Sequence, residues 1–263
     1  MRLDKYLADM GCGTRSELKA AVRKGRVSVD GAVIRDPGYA VTENACVDYD
    51  GRRVAYQAFV YVMLNKPAGV ITATEDPRTQ TVLDLLTGDD GQGTMRRDLA
   101  PVGRLDKDTE GLLLITNDGA LAHRLLSPKH HVDKVYYARL DGPVGNREAE
   151  LFAEGLPITD DEPFTAQPAD LVILRESNDA PGVFAGPGLP GSEVLVTVRE
   201  GKYHQIKRMF AQVGRQVTYL KRLKMGPLAL DETLKTGEWR YLTDEEIMAL
   251  QSGAGNSEDQ SRR

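Results

Sequence analysis

One acidic residue, Asp106, stands in a sequence setting that suits catalysis. It comes two residues after the cation Arg104 and shortly before an apolar run at 112–115. Four consecutive apolar residues are typical of a buried strand, and the Asn-Asp-Gly sequence at 117–119 predicts a turn into a helix. Asp106 is therefore expected in a loop that a rigid strand holds in place, as a fixed and reactive carboxylate.

The residues around Asp106 match a known motif. From Arg104 to Leu114 the chain has Arg-Leu-Asp-Lys-Asp-Thr-Glu-Gly-Leu-Leu-Leu. This resembles the signature Arg-Leu-Asp-x-x-Thr-x-Gly-Leu-Leu-Leu of pseudouridine synthases, in particular the branch that acts on small-subunit ribosomal RNA. The resemblance implies an isomerase that breaks the bond between uracil N1 and the ribose and forms one at C5, with Asp106 as nucleophile. It also implies base flipping and no metal or organic cofactor.

Two further motifs supply partners for Asp106. Residues 204–207 resemble the family's His-Gln-x-Lys/Arg motif, which implies that Lys207 contacts Asp106 and keeps it ionised. Apolar residues at helical spacing follow, so Lys207 is expected on a helix; Lys replaces the Arg of other superfamily members and is less bidentate. Residues 134–136 resemble the family's Lys-x-Tyr motif, which implies that Tyr136 stacks on the flipped uracil and assists proton removal.

Other residues near these motifs receive RNA-binding or structural roles. Arg104 is expected to fill the gap left by the flipped base or to hold a phosphate, with a structural ion pair as an equal alternative. Arg208 is expected to meet an RNA phosphate. His204 lacks a second ligand, so no metal site is expected there. Residues 65–69, Asn-Lys-Pro-x-Gly, resemble the family's first signature and are interpreted mainly as a turn that orients a strand.

Residues 1–50 are predicted to form a small RNA-binding domain. A capping-box pattern at 14–17 opens a helix that Gly25 ends, and two short strands flank an Asp-Gly turn at 30–31. The opening Arg-Leu-Asp-Lys-Tyr-Leu and the Gly-Arg-Val-Ser-Val-Asp-Gly strand and turn resemble the S4 domain, of the αL type. The resemblance implies that cations on one helix face and just beyond it bind RNA: Arg15, Lys19, Arg23 and Arg26.

The whole chain is predicted to be α+β, with two domains. The S4 domain covers residues 1–50, a polar linker covers 51–59, and a catalytic domain covers 60–250. The resemblance implies that the catalytic domain has a mixed, mostly antiparallel central sheet. The polar tail at 251–263 is predicted to be disordered.

Composition excludes several classes of protein. The chain has no long uncharged apolar run and no signal-peptide pattern at its start, which predicts a cytoplasmic, soluble monomer without a membrane partner. Its two cysteines support neither a disulfide framework nor a zinc site. The net charge is −5, yet residues 199–224 carry eight lysines and arginines against one acid, which favours a basic side facing RNA.

The favoured substrate is 16S ribosomal RNA or a small-subunit assembly intermediate. Tyr-His-Gln at 203–205 and Asn-Lys-Pro at 65–67 resemble that branch more than the 23S branches. Three alternatives stay open. They are a 23S target, a non-catalytic ribosomal-RNA-binding or ribosome-assembly factor, and a hydrolase built on the pair Asp106 and Asp108. The route, through a covalent adduct or a glycal, is also open.

Overall fold

The chain folds into two compact units. The computed structural model describes residues 1–42, 44–56, 58–86, 98–175 and 191–253. One unit comprises residues 1–60 with 83–100, and the other comprises residues 61–82 with 101–263. The described residues 83–86 and 98–100, which fall inside the predicted catalytic range of 60–250, therefore group with the first unit. None of the helices within the described ranges is long and apolar enough to cross a bilayer.

The first unit has two helices followed by a small sheet. Its elements are α1 (Leu3–Asp9), α2 (Arg15–Arg23), β1 (Val27–Val29), β2 (Ala32–Ile34), β3 (Val47–Tyr49) and β4 (Arg52–Val54). The strand order is β2-β1-β3-β4, with each pair antiparallel. The predicted capping box is confirmed, because the Thr14 hydroxyl accepts from Glu17 N while the Glu17 carboxylate accepts from Thr14 N.

The prediction of a linker at 51–59 is wrong for residues 52–54. Asp50 and Gly51 both have positive φ, 50° and 77°, and form a tight turn that returns the chain along β3 as strand β4. The strand carries two exposed arginines, Arg52 and Arg53, at the edge of the sheet. An edge strand with charged side chains has the same composition as a linker, and only its pairing distinguishes it.

The second unit is built on a nine-stranded sheet. The strands are β5 (Tyr61–Lys66), β6 (Ala100–Pro101), β7 (Glu110–Thr116), β8 (Lys134–Leu140), β11 (Asp170–Arg175), β12 (Glu193–Val198), β13 (Val217–Met225), β14 (Leu228–Ala229) and β15 (Trp239–Tyr241). The main order is β11-β12-β8-β13-β7-β5-β15. Along this order β13 and β7 run parallel and the other neighbouring pairs are antiparallel, so the predicted mixed, mostly antiparallel sheet is confirmed. A separate hairpin joins β9 (Pro157–Ile158) and β10 (Phe164–Thr165).

Four helices and one 3₁₀ turn complete this unit. They are α3 (Gly119–Leu126), the 3₁₀ turn Pro128–His130, α4 (Asn146–Glu154), α5 (Gln205–Gln212) and α6 (Asp244–Gly253). The predicted turn at 117–119 is confirmed, since the Asp118 carboxylate caps α3 by accepting from Leu121 N at 2.9 Å. On α5 the predicted apolar face is buried, and the Phe210 ring lies 5.0 Å from that of Phe152.

Strands β5 and β7 form the buried centre of the sheet. Every residue of β5 is buried, and so is every residue of β7 after Glu110. Side chains from Met63, Leu112 and Leu114 pack with residues from α3 and α6 in one apolar cluster. The predicted buried strand at 112–115 is thus confirmed, and it carries the loop that contains Asp106.

The predicted tail begins too early. Helix α6 continues to Gly253, because Leu250 is completely buried in the same apolar cluster and holds the last turn against the sheet. Residues 254–263, which make up most of the predicted tail, lie outside the described residues.

Gly111 is the tightest point of the central sheet, and replacing it tests that packing. Its φ is +98°, and a Cβ would lie 2.2 Å from the carbonyl oxygen of Arg222 on the parallel neighbour β13. We expect Gly111→Ala to lower the free energy of unfolding by about 2–4 kcal/mol in urea denaturation. Gly119→Ala is the matched control, because a Cβ there meets nothing within 4 Å and the change should stay within about 1 kcal/mol. Equal effects of the two substitutions would contradict this account.

Candidate active site

The backbone around Asp106 is organised by one buried ammonium group. Lys66 ends β5 and is 0% exposed. Its Nζ donates to four main-chain carbonyl oxygens, those of Pro67 (3.0 Å), Asp106 (3.1 Å), Lys107 (3.4 Å) and Thr109 (2.9 Å). A buried ammonium needs such partners, so the four carbonyls must converge on it. The position of the Asp106 backbone therefore follows from the position of Lys66.

Two more contacts fix the same loop from the segment that follows β5. The Thr72 hydroxyl donates to the Leu105 carbonyl at 2.8 Å and lies 3.1 Å from Leu105 N. Gly69 N donates to the Lys107 carbonyl at 2.8 Å. The motif at 65–69 predicts mainly a turn and does not reveal the role of Lys66. A lysine that directly continues the apolar run 61–64 was the available signal.

Burial lowers the pKa of Lys66 to about 8, and the negative charges of Asp108 and Asp106 oppose this shift. The ammonium is therefore the major form at neutral pH. Since the unfolded chain keeps this proton up to the ordinary value of 10.5, the folded chain loses it first as pH rises.

The Asp106 side chain meets two basic residues from the start of α5. Lys207 Nζ lies 3.0 Å from Asp106 Oδ2, and His204 Nε2 lies 3.6 Å from Asp106 Oδ1. Lys207 Nζ also lies 2.6 Å from Asp108 Oδ1. Burial opposes the charge on Lys207, but hydrogen bonds to Asp108 and Asp106 carry its pKa above the ordinary value. The structure thus brings together the predicted pair of Lys207 and Asp106.

A cavity of about 70 Å³ opens beside this pair. Asp106, Lys207 and Tyr136 all line it, and Tyr136 on β8 is 9% exposed. Apolar side chains from β12, β13 and α5 form other parts of its wall. A flat aromatic ring beside a fixed carboxylate can hold a planar ring against a nucleophile. The three predicted catalytic residues therefore share one cavity.

Arg104 also lines this cavity and is exposed. It forms no ion pair with any residue in the ranges that the structure describes. The alternative role predicted for Arg104, a structural ion pair, is thus not observed among the described residues.

His204 is a neighbour of Asp106 that sequence reasoning missed. It precedes α5 in the left-handed conformation, φ 50°, and its ring stacks on Tyr203 with centroids 3.8 Å apart. Left-handed residues other than glycine concentrate at functional sites. Their conformation is not visible in a residue pattern, and the motif at 204–207 was the only available signal.

Arg208 lies away from the cavity, where an acid of another loop holds it. Its Nε donates to Asp160 Oδ2 at 2.7 Å, and its guanidinium lies 4.7 Å from the Phe164 ring centroid. The same pair lowers the pKa of Asp160. The expected contact of Arg208 with an RNA phosphate therefore has no support from this geometry.

The basic segment 199–224 is also less available than its composition suggests. Arg199 pairs with Asp133 at 3.0 Å and with Asp170 at 2.6 Å, and Arg222 is 2% exposed. A count of charges cannot distinguish a free cation from a paired or buried one. The predicted basic side thus loses these two cations as well as Arg208.

The four predicted RNA-binding cations of the first unit differ in availability. Arg15, Lys19 and Arg23 are exposed on α2, at four-residue spacing. Arg26 forms a bidentate pair with Asp50 and lies 5.2 Å from the Tyr49 ring centroid. Three free cations therefore share one helix face.

Replacing Lys66 tests whether its ammonium holds the Asp106 loop. Lys66→Met removes the donor that four main-chain carbonyls share, so we expect the free energy of unfolding to fall by about 2–4 kcal/mol. Because the folded wild type releases this proton first, the gap between wild type and variant should widen from pH 8 to 10. Lys107→Met, an exposed change in the same loop, is the control in chemical denaturation. A stability loss as large in Lys107→Met would contradict the role of Lys66.

Comparison with known proteins agrees with this geometry. The sequence model for RNA pseudouridylate synthase matches residues 60–212, and that for the S4 domain matches residues 1–45. An uncharacterized RNA pseudouridine synthase of Bacillus subtilis is 46% identical over 252 residues, which cover 95% of this chain and 98% of the relative. Ribosomal small subunit pseudouridine synthase A of Vibrio cholerae is 41% identical over 250 residues, covering 95% and 99%.

A relative of the same name from Escherichia coli is 38% identical over 251 residues, covering 95% of this chain and all of the relative. A crystal structure of a pseudouridylate synthase aligns with a TM-score of 0.60 and 34% identity, covering 95% of this chain and 99% of that one. Both family matches occur in the order expected from the sequence, and the relatives match almost from end to end. The chain belongs to the RNA pseudouridylate synthase family of isomerases and carries an S4 domain at its N-terminus.

Proposed function

We propose that this protein converts one uridine of 16S ribosomal RNA, free or in a small-subunit assembly intermediate, to pseudouridine. It acts as a monomer in the cytoplasm. The observation that carries the proposal is the contact of Lys207 with Asp106 beside Tyr136 in one cavity. The names of the Vibrio and Escherichia relatives support the small subunit as the source of the RNA.

Asp106 is the nucleophile in this proposal. Lys207 contacts the carboxylate and orients Oδ2, since the two groups are 3.0 Å apart. The N1–C1′ bond breaks, a bond from C5 to C1′ forms, the proton on C5 leaves, and N1 gains a proton. These changes balance within the substrate, so the step needs no oxidant or co-reactant. Attack at the base, attack at C1′ and passage through a glycal all start from the same carboxylate.

Tyr136 and Arg104 would handle the base and the space that it leaves. The Tyr136 ring stacks on the flipped uracil, which its position in the cavity wall supports. Arg104, exposed and free of a described ion-pair partner, enters the gap in the RNA or holds a phosphate. Arg15, Lys19 and Arg23 on α2 supply sequence-independent attraction to the RNA backbone.

The other functions considered have weaker support. A hydrolase would need Asp106 and Asp108 on one cavity, but the Asp108 side chain is 71% exposed and outside the cavity lining. A non-catalytic RNA-binding factor would have no use for an ordered carboxylate with two basic neighbours. The buried Lys66 and the Lys207 pair therefore favour catalysis.

Removing the nucleophile should abolish one pseudouridine. We expect ribosomal RNA from cells that lack this protein to lose one small-subunit pseudouridine, mapped by carbodiimide labelling and primer extension. Wild type should restore it, whereas Asp106→Asn, with at least about 10³-fold lower activity, should not. Asp161→Asn is the control and should restore the site, because that exposed carboxylate lies outside the cavity.

Two results would refute parts of this proposal. Persistence of every modified site in the deletion strain would exclude the proposed role, and loss of a 23S site alone would move the substrate to the large subunit. Loss of RNA binding as well as of activity in Asp106→Asn would assign Asp106 to folding.

Neutralising the α2 face should flatten the salt dependence of RNA binding. We expect Arg15→Gln, Lys19→Gln and Arg23→Gln together to weaken binding and to reduce the slope of log K against log salt by about 2. The measurement is fluorescence anisotropy with a small-subunit RNA fragment across a range of salt concentrations.

The control for this experiment neutralises three exposed cations of the second unit, Lys129, Arg147 and Lys235. That variant should keep the wild-type slope. An unchanged slope in the α2 variant would exclude this face as the RNA-binding surface.

A further inference from the structure

A second carboxylate lines the cavity that contains Asp106. Glu200 follows β12 by two residues, in the segment that leads to α5, and is 7% exposed. Buried carboxylates are rare unless they are paired. No ion pair of Glu200 lies within the described part of the chain, and the chemistry assigned to Asp106 and Lys207 does not use it.

One oxygen of Glu200 is fully engaged by the protein. Oε1 accepts from Gln167 N at 2.9 Å and from Gln205 Nε2 at 2.8 Å. The Gln205 side chain is held in turn, because its Oε1 accepts from Lys202 N at 3.1 Å. These contacts fix the plane and the direction of the carboxylate, so its second oxygen has a defined position.

The second oxygen, Oε2, has no donor among the described residues. Solvent reaches this oxygen, although Glu200 as a whole is 7% exposed. A carboxylate oxygen can only accept a hydrogen bond, so a ligand that shields Oε2 from water without donating to it leaves the oxygen unsatisfied, which costs free energy. Oε2 is thus an oriented acceptor that lacks a donor from the protein.

We propose that Glu200 Oε2 accepts the N3–H of the flipped base and thereby selects uracil over cytosine. This inference rests on the proposed function, since it needs a uridine in the cavity. Uracil presents a donor at N3, whereas cytosine presents a lone pair there, which a carboxylate repels. Hydrogen bonds to charged groups are stronger than neutral ones, and a site built to bind an N–H group discriminates strongly against bases that lack it.

The alternative role for Glu200 is purely structural. Through Oε1 it ties the segment at Gln167 to the first residue of α5, and its charge acts on the buried ammonium of Lys134. A structural role and a base-reading role predict different results when the base in the cavity is changed. The structural role affects every RNA alike, whereas the base-reading role affects the ratio between them.

The test uses the full-length protein and three RNA fragments that differ only at the modified position. That position carries uridine, cytidine or N3-methyluridine, and dissociation constants are measured by competition. We expect wild type to bind the uridine RNA at least about tenfold more tightly than the other two, from one charged hydrogen bond. Comparing ratios between proteins cancels any difference in the cost of flipping each base.

Glu200→Gln is the informative variant. Its amide oxygen can keep both contacts at the Oε1 position, which leaves an NH₂ group to face N3. The uridine RNA should then lose its advantage, with a ratio to cytidine RNA below about threefold, because a donor meets a donor while cytosine N3 gains one. Glu193→Gln removes a carboxylate from β12, the strand that precedes Glu200, outside the cavity, and should keep the wild-type ratio.

The outcomes separate this inference from the proposed function. A Glu200→Gln variant that weakens all three RNAs equally, or a wild type that does not discriminate among them, would refute base reading by Glu200. Absence of pseudouridine in a small-subunit transcript treated with wild type would instead refute the proposed substrate. If a large-subunit transcript is modified, the same three-base series at that site decides the role of Glu200.

Discussion

The burial of one ammonium group, that of Lys66, is the constraint on which the active site depends. Moving such a charge out of water costs several kcal/mol unless hydrogen bonds replace its hydration. The replacement here is four carbonyl oxygens, three of which belong to the loop at 106–109. Because Lys66 ends β5 and β5 pairs with β7 along its whole length, the loop is held relative to the centre of the sheet. The stability of the sheet and the position of Asp106 thus have one cause.

Asp106 is consequently placed between two cations that act on different parts of it. Lys66 binds its main-chain carbonyl from inside the protein, and Lys207 contacts its carboxylate from α5. The first contact fixes where the backbone of the residue lies, and the second orients its side chain. The close approach of β13 to β7 at Gly111 belongs to the same arrangement, because it fixes the strand that follows the loop.

Sequence predicted the parts of the molecule that depend on local periodicity. Residues that are close together in the sequence predict the buried strand at 112–115, the capping box at 14–17 and the apolar face of α5. The contact of Lys207 with Asp106 spans 101 positions and was reached only through resemblance to a family. Long-range pairing also explains two errors. Strand β4 was predicted as a linker because its pairing with β3 is not visible in its own residues, and Arg208 was predicted to meet RNA because its pairing with Asp160 is not visible either. The roles of Lys66 and Glu200 depend on main-chain and side-chain atoms that no local pattern brings together.

A lysine at position 207, where the family motif implies arginine in other members, suits the two carboxylates that its ammonium contacts. Nζ lies 3.0 Å from Asp106 and 2.6 Å from Asp108, two carboxylates separated by one residue in a tight loop. A guanidinium favours both oxygens of a single carboxylate, because its donors form a rigid planar fork. A compact ammonium with three donors can instead serve two acceptors that face it from different directions. Asp108 therefore shares Lys207 with Asp106, and the ammonium lies 3.0 Å from Oδ2 of Asp106. His204 lies beside the other oxygen, Oδ1, so the two oxygens of the Asp106 carboxylate have different basic neighbours.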